Sequence, residues 1–451
     1  MSNNERVYSE GTEKKQKEQE QLYRREQRRK RRQRAQMTAY VTVVIFLAII
    51  AMGVVLGVHA LTKHSAGQEQ QQQEQQNKVD QLLATEESLE VPDPSEVVVE
   101  LTDEQKLDEI VNAGIEVMPL EDKVAGLFIV TPESITGVST AVKAGEGTQK
   151  ALNEYSVGGI VYSGKNMRSE EQLKEMLSNT NLYASYPLFL AVEEEGGTIS
   201  PVTAAGLGTK VDAAETIGEN GDVNKAYEAG TTIGTYLSDL GFNLNFAPVA
   251  DLNNVENSAI DDRSYGTDAT AVSEYVMEMS EGMEAEGVTS CLKHFPGIGS
   301  TTQDTHNGLA TSERTAEEFR AEELKVFQAG IDGGADMIMV GHMAAPALSG
   351  DNTPCSMSET VVTDILREEM GFKGVIISDA MNQKAISEYY GADEAAVLAL
   401  RAGCDMILMP EDFEKAYNGV LQAVADGTIS EERINDSLRR IYRIKYADKV
   451  E

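Results

Sequence analysis

The chain has 451 residues and a formal net charge of −35, enough length for two or three average domains or one large barrel with attachments. The charge is uneven: residues 1–36 hold 12 Lys/Arg against 6 Asp/Glu, so they carry +6 and the remainder −41. An acidic body of this kind excludes nucleic acid as its partner, because phosphate binding needs basic surface; a solvated, soluble surface accounts for the acid.

In chain order, residues 1–34 form a basic tail that closes on "YRREQRRKRRQR" (Tyr23–Arg34). An uncharged stretch follows, residues 35–62, with the core "AYVTVVIFLAIIAMGVVLGVHAL". It is long enough to span a bilayer, which takes about 20 apolar residues. The basic flank marks the N-terminal side as cytoplasmic, so the rest is expected outside the cell membrane on a single-pass anchor. A cleaved signal peptide is the rival reading, but the run is long for one and lacks a small-x-small cleavage site. Residues 63–101 contain "GQEQQQQEQQNKVDQ" and "VPDPSE". Such a segment buries too little apolar surface to offset chain entropy, so a disordered stalk is expected. Order is expected from residue 102, where Thr102 and Gln105 have capping-box spacing ahead of an apolar stripe of Leu107, Ile110 and Val111.

Residues 102–451 alternate short apolar runs with amphipathic segments. The runs are "AGLFIV" (125–130), "VGGIVY" (157–162), "PLFLAV" (187–192), "FNLNFAPV" (242–249), "VTSCLK" (288–293), "DMIMVG" (336–341), "GVIIS" (374–378) and "DMILM" (405–409). Each is continuous rather than alternating, as in strands covered on both faces. Helical patterns such as "SEEQLKEMLSNTNLY" and "ETVVTDILREEM" lie between them. Eight β/α repeats predict a (β/α)8 TIM barrel, an α/β fold. A doubly wound open sheet is the alternative, but its usual Gly-rich phosphate loop is missing after the first run, where "IVTPES" stands. The cysteines, Cys291, Cys355 and Cys404, are odd in number and widely spaced, which predicts buried thiols rather than a disulfide framework.

In a barrel the chemistry sits where the strands end. The third run ends in "EEEGG", starting at Glu193, and the fourth leads to Asp251 and then "DRSYG" with Arg263. The fifth ends in Lys293 and His294, followed by a loop with Asp304 and His306. The sixth ends at His342 and the seventh at Asp379. Each residue has a plain alternative. Asp379 can merely cap the next helix; as a catalyst it is a nucleophile or a metal ligand. In an extended "DTH" loop, Asp304 and His306 point the same way. The carboxylate then holds one imidazole nitrogen and leaves the other to exchange protons; a plain polar loop is the alternative. Lys293 and His294 are neighbours on a strand, so at most one points into the barrel unless the strand bends. Arg263 can grip a substrate hydroxyl or pair with Asp261 or Asp262, and His342 reads as a structural hydrogen-bonder. A zinc site built from the histidines and an aspartate is the rival chemistry, but the His-x-His that usually opens such barrels is absent after the first run.

Four motifs in one order, "EEEGG", "FAPVADLN" with "DRSYG", "KHFPGIGSTTQDTH" and "GVIISDAM", resemble glycoside hydrolase family 3. Within it they resemble the single-domain β-N-acetylglucosaminidases that act on cell-wall fragments. The resemblance runs from "MPLEDKVAGLFIV" to "SLRRIYRIKY". It implies Asp379 as nucleophile, His306 as general acid/base and Asp304 as its orienting partner. Lys293, His294, Arg263 and Glu193 would bind the sugar. Three positions depart from the family: Glu193 stands for Asp, Pro201 for the Arg of Glu-Gly-Gly-x-x-x-Arg, and Ile298 for a common His.

The expected activity is a retaining β-N-acetylhexosaminidase that removes terminal β-linked N-acetylglucosamine from peptidoglycan-derived glycans through a glycosyl-Asp intermediate. No metal or organic cofactor is expected; the partners are a glycan and, through residues 35–62, the lipid bilayer. Two alternatives stay open: a phosphorylase with the same site, and an inactive anchored glycan-binding protein.

Overall fold

The structure, a computed structural model, describes residues 101–447. The expected basic tail, anchor and nearly all of the stalk lie outside the described residues. Among the described residues no helix is long and apolar enough to cross a membrane.

The helix Asp103–Glu116 opens on the expected capping box: the Gln105 amide donates to Thr102 Oγ1 at 3.3 Å and the Thr102 amide to Gln105 Oε1 at 2.9 Å. Val111 and Ile115 are buried, and Leu107 packs against the core. Ile110, expected in the same stripe, is exposed. At 3.6 residues per turn, positions 107, 111 and 115 stack on one face, and 110 falls at its margin.

Residues from Leu107 onward form one compact unit. Every apolar run yields strand: β1 (Phe128–Val130), β2 (Gly159–Val161), β3 (Phe189–Val192), β4 (Leu244–Asn245), β5 (Thr289–Ser290), β6 (Leu292–Phe295), β7 (Met337–Val340), β8 (Val375–Ala380) and β9 (Met406–Leu408). All pairings are parallel, in the order β5-β4-β3-β2-β1-β9-β8-β7-β6. The two end strands share the fifth run. β5 pairs with β4 and β6 with β7, with Cys291 between them. The Cys291 amide donates to Ala247 O at 2.9 Å, and the Ala250 amide to Lys293 O at 2.6 Å. The sheet therefore curls back on itself as a parallel α/β barrel, not an open doubly wound sheet. Nearly all strand residues are buried, which is why the runs carry no polar alternation.

The helical patterns behave as expected, with one variation. Ser169 caps Glu170–Tyr183 by accepting from the Gln172 amide. The segment Thr360–Glu369 coils as a wider π-helix, seen in the i→i+5 bond from the Met370 amide to Ile365 O at 2.9 Å. The end of the barrel opposite the strand C-termini is tied by Asp405, fully buried just ahead of β9. It accepts from Arg367 (2.6 Å), Ser437 (2.8 Å) and Arg440 (3.0 Å), the last two on the helix Glu431–Lys445. All three cysteines are buried and free.

Candidate active site

The chain after β3 starts the site. Side chains alternate along an extended strand, and the three glutamates obey that rule. Glu193 and Glu195 turn to one side, where both meet the Lys293 ammonium; the Glu195 contact is 2.6 Å. Glu194 turns the other way and is fully buried. It accepts from the Val202 amide (2.7 Å), the Thr203 amide (3.1 Å) and hydroxyl (2.7 Å), and Tyr236 (2.9 Å). Glu194 thus caps the short helix Pro201–Ala204, on which Pro201 is the first residue.

Arg263 does not pair with Asp261 or Asp262. It makes a two-pronged contact with Glu195: Nε to Oε2 at 2.8 Å and Nη2 to Oε1 at 2.7 Å. Burial opposes the charge on Glu195, but Lys293 and Arg263 outweigh it and hold the carboxyl at about 2. Lys293 is fully buried; burial works against its charge, yet Glu193 and Glu195 raise its pKa above the ordinary lysine value.

His294, next to Lys293, also reaches the site. The pairing of β6 with β7 shifts register between Leu292 and Phe295. A bulge of this kind re-aims side chains, which is how two neighbours both reach groups at the mouth. His294 Nδ1 lies 2.7 Å from Asp251 Oδ2, and Asp251 also accepts from the His294 amide (3.1 Å) and the Ile298 amide (2.7 Å).

Asp379 ends the apolar stretch of β8, and its Oδ1 accepts from the Ala380 amide at 2.6 Å. Burial would raise its pKa, but His342, His294, that amide and Lys293 bring it to about 2. The carboxylate is therefore ionised at neutral pH. His342 is fully buried with both ring nitrogens engaged, Nδ1 with Ser356 Oγ at 2.7 Å and Nε2 with Ala380 O at 3.1 Å. Burial pushes its pKa down against the pull of the Asp379 charge; Nε2 faces a carbonyl and therefore carries a proton, and Nδ1 faces the serine hydroxyl.

The loop after β6 brings in the last pair. Asp304 Oδ1 accepts from the His306 amide (2.9 Å) and meets His306 Nδ1 (2.8 Å). His306 Nε2 is left for other chemistry, on a side chain that is 66% exposed. The loop is docked, because Thr305 is buried and its carbonyl accepts from the Ala385 amide at 3.1 Å, six residues past Asp379. Burial opposes ionisation of Asp304, but its bonds to His306 and the charges of His306 and Arg263 bring its pKa below the ordinary value.

A buried ionised carboxylate thus shares the barrel mouth with an accessible, carboxylate-held imidazole and a wall of cations. Residues 119–444 match the family model "Glycosyl hydrolase family 3 N terminal domain". The chain belongs to glycoside hydrolase family 3. It is 29% identical over 326 residues to the β-hexosaminidase A of Pseudoalteromonas piscicida, covering 65% of this chain and 54% of that one. It is 32% identical over 271 residues to a β-hexosaminidase of Nitrosomonas eutropha, covering 59% and 77%. Among solved structures, a family 3 β-N-acetylglucosaminidase from Paenibacillus sp. str. FPU-7 superposes with a TM-score of 0.70 at 34% identity, covering 74% of this chain and 63% of that one.

Of the seven residues singled out in this family 3 sequence, Glu193, Arg263, Lys293, His294 and Asp379 are linked by direct contacts or by felt charge. Asp304 and His306 join through the Thr305–Ala385 bond. Two buried carboxylates were given no role by the sequence: Glu195, which carries Arg263 and Lys293, and Asp251, placed at the end of the fourth run, which carries His294. The alternation of "EEEGG" signals that Glu193 and Glu195 share a side. Nothing in the linear order signals that Glu195 meets an arginine 68 residues away.

Proposed function

We propose that this chain is a retaining β-N-acetylhexosaminidase that releases terminal β-linked N-acetylglucosamine from cell-wall-derived glycans. The observation that carries the reading is the buried, ionised Asp379 beside a docked loop that offers His306 Nε2. The family and the named activities of the relatives support the choice of substrate.

In the first step an Asp379 oxygen bonds to the anomeric carbon as the bond to the leaving oxygen breaks, and His306 Nε2 gives that oxygen its proton. Asp304, at Nδ1, holds the ring for the transfer. In the second step water attacks the anomeric carbon, His306 takes the water proton, and Asp379 is released. Lys293, His294, Arg263 and Glu193 bind the sugar. Pro201 offers no guanidinium, so this wall has one cation fewer than the family pattern. The proposal extends to organisation: residues 35–62 anchor the chain, 63–101 form a stalk, and the 102–451 barrel works outside the membrane. External protease treatment of intact cells is expected to release the barrel domain; a barrel that stays protected contradicts that arrangement.

Phosphorolysis is the rival use of the same pair, since an imidazole acid/base repels phosphate less than a carboxylate does. The test is turnover of aryl N-acetyl-β-glucosaminide in phosphate and phosphate-free buffer. Equal release of free sugar supports hydrolysis; a sugar phosphate formed only in phosphate supports the rival, and no turnover of any aryl glycoside refutes both.

A further inference from the structure

Two of the residues read as binding the sugar, Lys293 and Arg263, converge on a third that sequence reading did not single out. Lys293 and Arg263 both bond the same oxygen of Glu195, Oε1, at 2.6 and 2.7 Å, and Arg263 Nε takes Oε2 at 2.8 Å. Glu193 approaches the same ammonium from the open side. Its side chain is 48% exposed, whereas that of Glu195 is 7% exposed and that of Lys293 is 0%. Glu193 therefore has a face toward an incoming sugar, and Glu195 stands behind the two cations.

The backbone fixes Glu195 in that place. Its amide donates to Ile199 O at 2.8 Å, and Gly196 bridges to Ile199 in a tight turn. Gly196 and Gly197 have φ of 93° and 55°, a region that side chains disfavour, and a Cβ on Gly197 would meet Ala213 at 2.7 Å. The glycine pair of "EEEGG" thus sets the glutamate between strand ends rather than on the surface.

Two cations this close repel in a weakly polar setting, and an anion between them offsets the repulsion most directly. We propose that Glu195 is a positioning residue: one carboxylate that spaces and orients Lys293 and Arg263 so that their remaining donors face the sugar. This rests on the reading of Lys293 and Arg263 as sugar-binding groups. Glu195 does not itself touch the sugar, because its oxygens are occupied and covered. The charge state of Lys293 follows from the same arrangement. The groups facing it are Glu193 and Glu195 from the segment after β3, Arg263, Asp379 from β8, and Cys291 on its own run. Loss of the Glu195 charge removes the anion the two cations share, leaves Glu193 as the carboxylate on Lys293, and makes the ammonium easier to deprotonate.

The experiment uses Glu195→Gln, which keeps the shape and removes the charge. KM for an aryl N-acetyl-β-glucosaminide is expected to rise on the order of 100-fold with a much smaller change in kcat, the pattern of lost ground-state binding. The alkaline limb of kcat/KM is expected to move to lower pH. A folded variant with wild-type KM and pH profile, or one whose loss is confined to kcat, overturns the proposal. Should Glu195→Gln not fold, Glu195→Asp keeps the charge but withdraws it by one methylene; a KM increase of roughly 10-fold supports the proposal, and an unchanged KM overturns it. A substrate-free readout separates this idea from the glycosidase reading: the pH titration of the isotope-labelled Lys293 side chain, followed by NMR. A lower midpoint in Glu195→Gln supports the positioning role even if no sugar is turned over, and an unchanged midpoint overturns it.

Discussion

The Thr305 carbonyl accepts a hydrogen bond from the Ala385 amide at 3.1 Å. That one bond joins the loop holding His306 to the segment that follows Asp379. It links two motifs that lie more than seventy residues apart in the chain.

His306 and Asp304 are expected to govern kcat. His306→Ala should lower kcat by about 10²–10⁴-fold for glycosides with poor leaving groups, the range for a lost general acid. The loss should shrink for nitrophenol-type leaving groups, which need little protonation. Asp304→Asn keeps a partner at Nδ1 but removes its charge, so its effect should have the same leaving-group trend and a smaller size. A loss of equal size across leaving groups would contradict the acid role; steady-state kinetics on an aryl series decides it.

Acid stability should follow the two buried, most strongly depressed carboxyls. Asp379 and Glu195 sit at about 2, against ordinary values of 3.8 and 4.5. A carboxyl whose pKa is lower when folded stabilises the fold above its unfolded pKa. That stabilisation is lost as pH falls toward the folded value. The window therefore runs from about pH 4.5 down to about 2, and each group contributes roughly 2–3 kcal/mol. Denaturant midpoints measured through this window should fall steadily, and Glu195→Gln should flatten the slope. A midpoint constant from pH 5 to 3 would contradict the assignment.

The opposite end of the barrel should control stability and not substrate recognition. Asp405 is fully buried and accepts from Arg367, Ser437 and Arg440, and Asp405→Asn leaves those arginines without their anion. Breaking a buried pair costs about 3–5 kcal/mol. The variant should melt earlier yet, at a temperature where it remains folded, keep the wild-type KM. A raised KM in the folded variant would show that the two ends are coupled.

Much of this arrangement is readable in the sequence, for physical reasons. Strands covered on both faces need continuous apolar runs, so "VGGIVY" or "GVIIS" announce themselves, and Asp379 is readable as the residue that ends the last of these. The pairing of Asp304 with His306 is readable, but not its geometry: the loop is not extended there, residues 305 and 306 form a turn closed by the Asn307 amide on Asp304 O at 2.9 Å, and the Asp304 carboxylate caps that turn and so meets the ring. Other features depend on tertiary contacts. The break at Cys291, where the fifth run passes from β4 to β7, leaves no mark in composition. Three consecutive glutamates look alike until Glu194 caps a helix, Glu195 meets Arg263 and Glu193 stays half exposed. Ile110 shows the limit of a stripe argument when one apolar residue falls at the edge of the buried face.

The central claim is that Asp379 attacks the sugar, and covalent trapping tests it most directly. The chain is incubated with an activated 2-deoxy-2-fluoro glycosyl donor, digested and analysed by mass spectrometry. The account predicts one added glycosyl group, on the Asp379 peptide, with inactivation that follows labelling and no label in Asp379→Asn. A glycosyl group on any other residue, or Asp379→Asn with wild-type turnover, would contradict it.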